Sequence, residues 1–348
     1  MVPNRISGGS GSAGTAGRRD LLKAAAASLL LPAGLSLRAA AARADEAAPA
    51  AIHSAGWKRR AQWRFGTAPG NNVTRFSDWL RTGWFMNETP RWLNDECETY
   101  NTTDLSDGNP NFMPFADHCD IVAIWNGGPV ASARGNGSIS SLMMRYNVPS
   151  PSAIGYYELE CRIPSVSGAW PAWWTIGHAP GTPQGASTWG PEIDIFEFYD
   201  TKSDVVEATL HGSRTPSYCF MRSGGGPPAH GDTPATRYDA PPWNLGTMKY
   251  RPGSDFARGF HRFGAMIAAN HNITIWVDDR PVGTFAAEQY CDDSGRPVGV
   301  QLLVNLALGT KNPDPVRSIH TADFGGANNR GPANKFRFSL KNIQIWGP

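Results

Sequence analysis

The 348-residue chain carries almost no net charge: 32 basic against 30 acidic residues leave +2. Without a basic surplus or patch it has no electrostatic footprint for nucleic acid or acidic lipid, and neither is expected as a partner. Long apolar runs are missing as well. Residues 24–37 form the one extended hydrophobic stretch, only 14 residues broken by Pro32 and Gly34, short of the roughly 20 that cross a bilayer as a helix. Cysteines are few, five in all, and there is neither a C-x-x-C pair nor an H-E-x-x-H run. No metal ligand is therefore assigned. Gly9-Ser10-Gly11-Ser12-Ala13-Gly14 matches G-x-G-x-x-G, but no strand precedes it and no βαβ unit surrounds it, so it is not a nucleotide site. No organic cofactor is implied.

What the chain does have is turns and tryptophan: Gly 38, Pro 28 and Trp 13, within a composition of 41% hydrophobic and 18% charged residues. That is a globular protein with many reversals and helix well below the usual third. The amino end runs Gly17-Arg18-Arg19-Asp20-Leu21-Leu22-Lys23, then the mild apolar stretch, then Ala42-Arg43-Ala44. Paired arginines, a weak core and an A-x-A end resemble a twin-arginine export signal spanning 1–44; an ordinary secretory leader or an uncleaved anchor are the alternatives. Export would leave a mature chain of 45–348 with a net charge of −3, in the periplasm or outside the cell. There Cys97, Cys119, Cys161, Cys219 and Cys291 could form bridges, with at least one thiol left over. Cys161 alternates with apolar neighbours and is expected to be a buried thiol. Residues 45–56 are Ala-rich without periodicity and read as a linker. Residues 57–348 show no repeat and no change of composition, so they form one domain, expected to be monomeric.

Hydrophobic periodicity is two almost throughout. In Tyr156-Tyr157-Glu158-Leu159-Glu160-Cys161-Arg162-Ile163 the odd positions are apolar and three of the four even ones charged, a half-buried strand with one wet face. Ile273–Val277 and Phe336–Leu340 repeat the pattern, Val300–Leu306 looks covered on both faces, and Asp278-Asp279-Arg280-Pro281 reads as a hairpin turn. Short strands without helical stretches predict an all-β fold: two stacked antiparallel sheets, a β-sandwich of jelly-roll type. Residues 101–117 and 213–256 read as loops shaping a groove.

The most informative stretch is Trp189-Gly190-Pro191-Glu192-Ile193-Asp194-Ile195-Phe196-Glu197-Phe198-Tyr199. Three acids in a segment that otherwise suits a central strand point to charges that are used. Glu192 and Asp194 share a face, but an ideal pleat would aim Glu197 the opposite way. A β-bulge at Ile195-Phe196 would return Glu197 to the acidic face, and bulges re-aim side chains beside active sites. The bulge leaves roughly 13 Å between the Cα atoms of Glu192 and Glu197, and on a concave sheet their tips could close to about 5 Å. That is the separation at which one carboxylate attacks an anomeric carbon while the other protonates the leaving oxygen. Repulsion within the row should raise at least one carboxyl pKa. The plainer alternative is a solvated acidic face or a calcium-binding row.

Glu192-Ile193-Asp194-Ile195-Phe196-Glu197 resembles the E-x-D-x-x-E signature of family 16 glycoside hydrolases, the laminarinase and agarase group. Gly168-Ala169-Trp170-Pro171-Ala172-Trp173-Trp174 is similar to the family's G-x-W-P-A-x-W strand. Ile154–Glu158, Phe260-His261 through Val277-Asp278, and Asn305-Leu306-Ala307-Leu308-Gly309 are similar to further family segments, all in the family's order. The resemblance implies a concanavalin A-like sandwich with a substrate groove. It also implies a retaining endo-acting hydrolase of β-linked polysaccharide, most readily β-1,3-glucan. Glu192 would then be the nucleophile, Glu197 the acid/base and Asp194 the group that tunes the nucleophile. Trp170 and Trp174 lie on one face of their strand as candidate walls for a sugar chain, with Trp189 a further wall. His211 and Asn94 match family positions beside the acid/base and in the innermost subsite, although Asp95 replaces the second Asn of that segment. A structural calcium ion is possible on family grounds. A transglycosylase on the same fold and a non-catalytic, lectin-like binding protein are the alternatives.

Overall fold

Alternation dictates that each strand buries one row of side chains, and the chain satisfies this with two antiparallel sheets facing each other across a common core. The computed structural model describes residues 49–87, 96–128, 138–178, 191–199, 201–211, 244–253, 255–270, 272–286, 299–309 and 319–348. The front sheet has seven strands in the spatial order Asn244–Tyr250, Val206–His211, Glu192–Glu197, Ala169–His178, Gly299–Leu308, Met143–Asn147 and Phe85–Met86. The rear sheet runs Arg280–Ala286, Asn272–Val277, His261–Ile267, Gly155–Arg162, Arg337–Gly347, Cys119–Val122 and Phe112–Pro114, with Lys58–Arg64 added against Arg337–Gly347. Among the described residues, helix is confined to Ala50–Ser54, Phe76–Arg81 and the 3-10 turn Thr321–Phe324. None of the helices is long and apolar enough to cross a membrane.

The core between the sheets takes alternate residues from both. Tyr157, Leu159, Cys161 and Ile163 enter it from the rear sheet, and Trp173, Ile193, Val304 and Leu306 from the front. Phe196 packs on Phe263 and Phe198 on Phe256, with ring centroids 4.7 and 5.6 Å apart. Each such side chain contributes about 1.5–3 kcal/mol by leaving water. Cys161 is fully buried, as its alternation implies. Cys219 and Cys291 lie outside the described residues. The turn at Asp278-Asp279 joins two rear-sheet strands, and both residues have positive φ, 46° and 64°. That conformation matches the right-handed twist of a two-residue hairpin.

Three expectations need correcting. The charged face of Gly155–Arg162 is not wet: Glu158 is 1% and Glu160 6% exposed. Tyr156 donates its hydroxyl to Glu158 at 2.6 Å and Lys341 bridges to Glu160 at 2.8 Å, so hydrogen bonding lets the carboxyls be covered. The expected linker is folded at its carboxyl end. Ala50–Ser54 is a helical turn whose Ile52 is fully buried in a cluster with Tyr156, Trp276 and Trp346. One apolar residue in an Ala-rich run leaves no periodicity to detect. Finally, the expected loops contain strands: Phe112–Pro114 belongs to the rear sheet and Asn244–Tyr250 forms one edge of the front sheet.

Candidate active site

The acidic strand pairs with Ala169–His178 on one side and Val206–His211 on the other, and both pairings skip one residue at the same place. Asp194 lies opposite Trp174 and Thr209, yet Glu197 lies opposite Ala172 and Glu207. Three steps on the acidic strand thus match two on each neighbour, which is a β-bulge at Ile195-Phe196. Its consequence is visible in the packing: Ile193, Ile195 and Phe196 all enter the core. Two consecutive residues therefore point inward, and Glu192, Asp194 and Glu197 are left together on the outer face of the front sheet.

That face is partly closed over. Asp194 is 5% and Glu197 8% exposed. Trp170 donates its indole N–H to Glu197 Oε1 at 3.0 Å and packs against Tyr199 with ring centroids 5.0 Å apart. Burial and the charge of Glu197 together hold the Tyr199 phenol well above its ordinary range. At the other end of the row, His211 lies directly opposite Glu192. Its Nε2 is 2.9 Å from Asp194 Oδ2 and 4.0 Å from Glu192 Oε1.

Proton affinities follow from this crowding. Burial first, then the charges of Asp194 and Glu197, push Glu192 up to about 8, while the neighbouring His211 cation pulls it down. For His211 burial works against the charged form, but the Asp194 hydrogen bond and the three carboxylates outweigh it and raise the imidazole to about 9. At neutral pH the site therefore holds an imidazolium paired with Asp194 and an extra proton within the carboxylate row. Strongly interacting groups titrate as a set, so that proton belongs to the row. The repulsion expected from sequence is present, centred on Glu192.

Trp174 lies on the other side of the row, half-buried, with its indole N–H donated to Asn305 Oδ1 at 2.7 Å. Trp170 differs from the expected sugar wall: it is only 4% exposed and its N–H is spent on Glu197, which makes it a support of that carboxylate. Trp173, on the opposite face, is in the core. Asn94 and Trp189 lie outside the described residues. Sequence reasoning missed Tyr199 and the partners of Trp174, because neither a phenol two residues past the acidic row nor a contact across the fold announces itself locally. Glu192, Asp194 and His211 also offer three ligand atoms within 4.8 Å of one another, a set able to hold a divalent cation, although the His211–Asp194 bond already pairs two of them.

No protein-family model matches the chain. Among characterised proteins it is 29% identical over 265 residues to the endo-1,3-1,4-beta-glycanase EglC of Rhizobium meliloti (strain 1021), covering 74% of this chain and 48% of that protein. It is 36% identical over 155 residues to the endo-1,3-1,4-beta-glycanase ExsH of the same organism, covering 44% and 25%. The chain thus aligns with about half the length of the first relative and a quarter of the second. Among solved structures, endo-1,3-beta-glucanase from Streptomyces sioyaensis superposes with a TM-score of 0.55 at 18% identity, covering 84% of this chain and 98% of that one. The two-sheet sandwich is thus a fold this chain shares with solved endo-beta-glucanases. More particularly, it is similar to a non-specific endo-beta-1,3(4)-glucanase from family 16 of the glycoside hydrolases, with a TM-score of 0.53 at 16% identity, covering 83% of this chain and 91% of that one.

Proposed function

We propose that the chain is a retaining, endo-acting glycosidase that cleaves β-linked glucan by double displacement, with β-1,3 linkages the first candidates. The observation that carries this is the bulge, which aligns Glu192, Asp194 and Glu197 on the outer face of the front sheet. Names of the similar proteins support the substrate class: endo-1,3-1,4-beta-glycanases and an endo-1,3-beta-glucanase.

In the first step a Glu192 oxygen attacks the anomeric carbon while the bond to the glycosidic oxygen breaks and Glu197 passes its proton to that oxygen. In the second, Glu197 takes a proton from water, the water oxygen attacks the same carbon, and the Glu192 carboxylate leaves. Two inversions give net retention. Glu192 has to be charged to attack, and its environment disfavours that charge except for one element: the His211 imidazolium, 4.0 Å from its Oε1. Asp194 holds that cation in place. The first step needs Glu192 ionised and the proton on Glu197.

Reaction on laminarin, lichenan, agarose, carrageenan and xyloglucan tests the substrate class. E192A and E197A test the roles. Azide should restore turnover to E197A with an activated aryl glycoside and yield the β-glycosyl azide. For E192A it should yield the α-azide. The opposite pattern would exchange the two roles, hydrolysis retained in both variants would place the chemistry elsewhere, and a wild type that binds glucan without cleaving it would be a binding protein. Sugar acceptors in excess would reveal transglycosylation. We further infer export through the twin-arginine leader, with 57–348 as the catalytic domain; replacing Arg18 and Arg19 by Lys should retain the protein in the cytoplasm.

A further inference from the structure

Trp174 is tied into the molecule by a line of hydrogen bonds that the chemistry above does not use. Its indole N–H donates to Asn305 Oδ1 at 2.7 Å, and Asn305 Nδ2 donates to the Tyr100 hydroxyl at 3.0 Å. Tyr100 in turn hydrogen-bonds the Glu98 carboxyl, whose Oε2 also accepts the Leu308 amide at 2.7 Å. Glu98 is 0%, Tyr100 1% and Asn305 3% exposed. The first two links run donor to acceptor in one direction, from the indole through Asn305 to the Tyr100 hydroxyl, and the buried Glu98 carboxyl lies beyond them.

This directionality has structural content. Asn305 can serve Trp174 only with its oxygen toward the indole, and the Tyr100 oxygen fixes that choice by requiring the amide N–H on the other side. Tyr100 can accept from Asn305 because its own proton is committed to Glu98. Hydrogen bonds in series strengthen one another in a low-dielectric interior. Distance in sequence is large: Asn305 and Tyr100 are 205 positions apart. Thr99–Tyr100 is a two-residue strand paired in parallel with Ile139–Ser141, outside the front sheet. The segment thus supplies Trp174 with a fixed support on its own face of the sheet, where Tyr100, Met143, Ile176 and Leu303 pack together with the indole.

Trp174 sits directly opposite Asp194 on the neighbouring strand, and Asn305 is level with Ala172, which is level with Glu197. On the double-displacement reading, this is the sugar lying next to the reacting one, on the side of the row away from His211. We propose that Asn305, Tyr100 and Glu98 are positioning residues that lock the plane of the Trp174 indole, so that the groove meets its sugar with a preset stacking face. Preorganisation of this kind lowers the ordering cost of binding and shows in substrate affinity more than in the bond-breaking step.

A double-mutant cycle on the full mature chain tests it. Y100F removes one hydroxyl from the series without changing its ring, W174F removes the stacking indole, and the double variant removes both. KM and kcat are measured on laminarin or whichever glucan the wild type cleaves. Binding of the same oligosaccharide is measured by calorimetry with the E192Q protein as background. For Y100F the expected result is a rise of about fivefold in KM and Kd, the size of one deleted hydrogen bond, with a smaller change in kcat. In the W174F background the same Y100F change should have no further effect on KM, because its only route to the sugar is gone. An equal KM effect in both backgrounds, or an unchanged KM in Y100F, would overturn the relay while leaving the glycosidase reading intact. A wild type that neither cleaves nor binds any glucan would overturn both.

Discussion

The charge on His211 offers the sharpest perturbation. H211Q keeps a side-chain N–H able to reach Asp194 but removes the cation 4.0 Å from Glu192 Oε1. Two unit charges at that separation interact by about 4 kcal/mol at an effective dielectric of about 20. The imidazole side chain is 29% exposed, so water screens part of this, and roughly 1.4 kcal/mol, or one pKa unit, is a conservative remainder. The sign is fixed: His211 lowers the Glu192 pKa, so its loss raises it. A nucleophile must be ionised, so the acid limb of the kcat/KM profile should move toward higher pH by about one unit or more. Below that limb the variant should be about tenfold slower than the wild type. Toward pH 9 the two should converge, because His211, raised to about 9, loses its own charge there. The assay is kcat/KM on a soluble glucan from pH 5 to 9.5, with thermal unfolding followed in parallel. A wild-type to variant ratio independent of pH, or an acid limb that stays put, would refute this electrostatic role.

Stability should also depend on pH in a defined direction. Burial raises Glu98 and Glu158 to about 7 and Glu192 to about 8, while His211 is raised to about 9 by its carboxylate partners. A group whose folded pKa lies above its unfolded value stabilises the protein below the unfolded value and loses that contribution as pH rises through the folded one. The carboxyl contributions are lost between about 4.5 and 8 and the imidazole contribution between 6.5 and about 9. Tm at pH 5.5 should therefore exceed Tm at pH 9, and a calorimetric series with the reverse order would contradict it. Length changes at the bulge should be asymmetric. Deleting Ile195 converts the strand to a regular pleat with Glu192, Asp194 and the displaced Glu197 still alternating on one face, so measurable hydrolysis should survive at some loss of core packing. Inserting one Ala between Ile195 and Phe196 also permits a regular pleat, but it carries Glu197 six full strand steps from Glu192 where the bulge leaves four, so it should abolish hydrolysis, as activity assays with circular dichroism controls would record.

Much of the site was legible because it obeys local rules. Counting faces along Glu192–Glu197 exposed the parity conflict at Glu197, and only one extra residue resolves it. Parity likewise separated Trp173, which is core, from Trp170 and Trp174. It could not tell that the Trp170 N–H would point at Glu197, since indole direction is decided by the strands on either side. The Trp174 relay was illegible for a different reason: its members come from segments some 70 to 200 residues apart, and each looks unremarkable within its own motif. Ile52 defeated periodicity by being alone. The supposedly wet face of Gly155–Arg162 shows the limit of alternation itself, which reports polarity, whereas Tyr156 and Lys341 decide burial by satisfying Glu158 and Glu160.

The stereochemistry of the first product interrogates the acidic row most directly. Proton NMR of the anomeric signals, recorded within minutes of adding enzyme to a β-glucan oligosaccharide, should detect the new reducing end first as the β anomer, with the α form appearing only by mutarotation. A first-formed α anomer would mean a single displacement by water, with Glu192 and Glu197 too far apart for one of them to bond to the sugar, and the double-displacement account would fail.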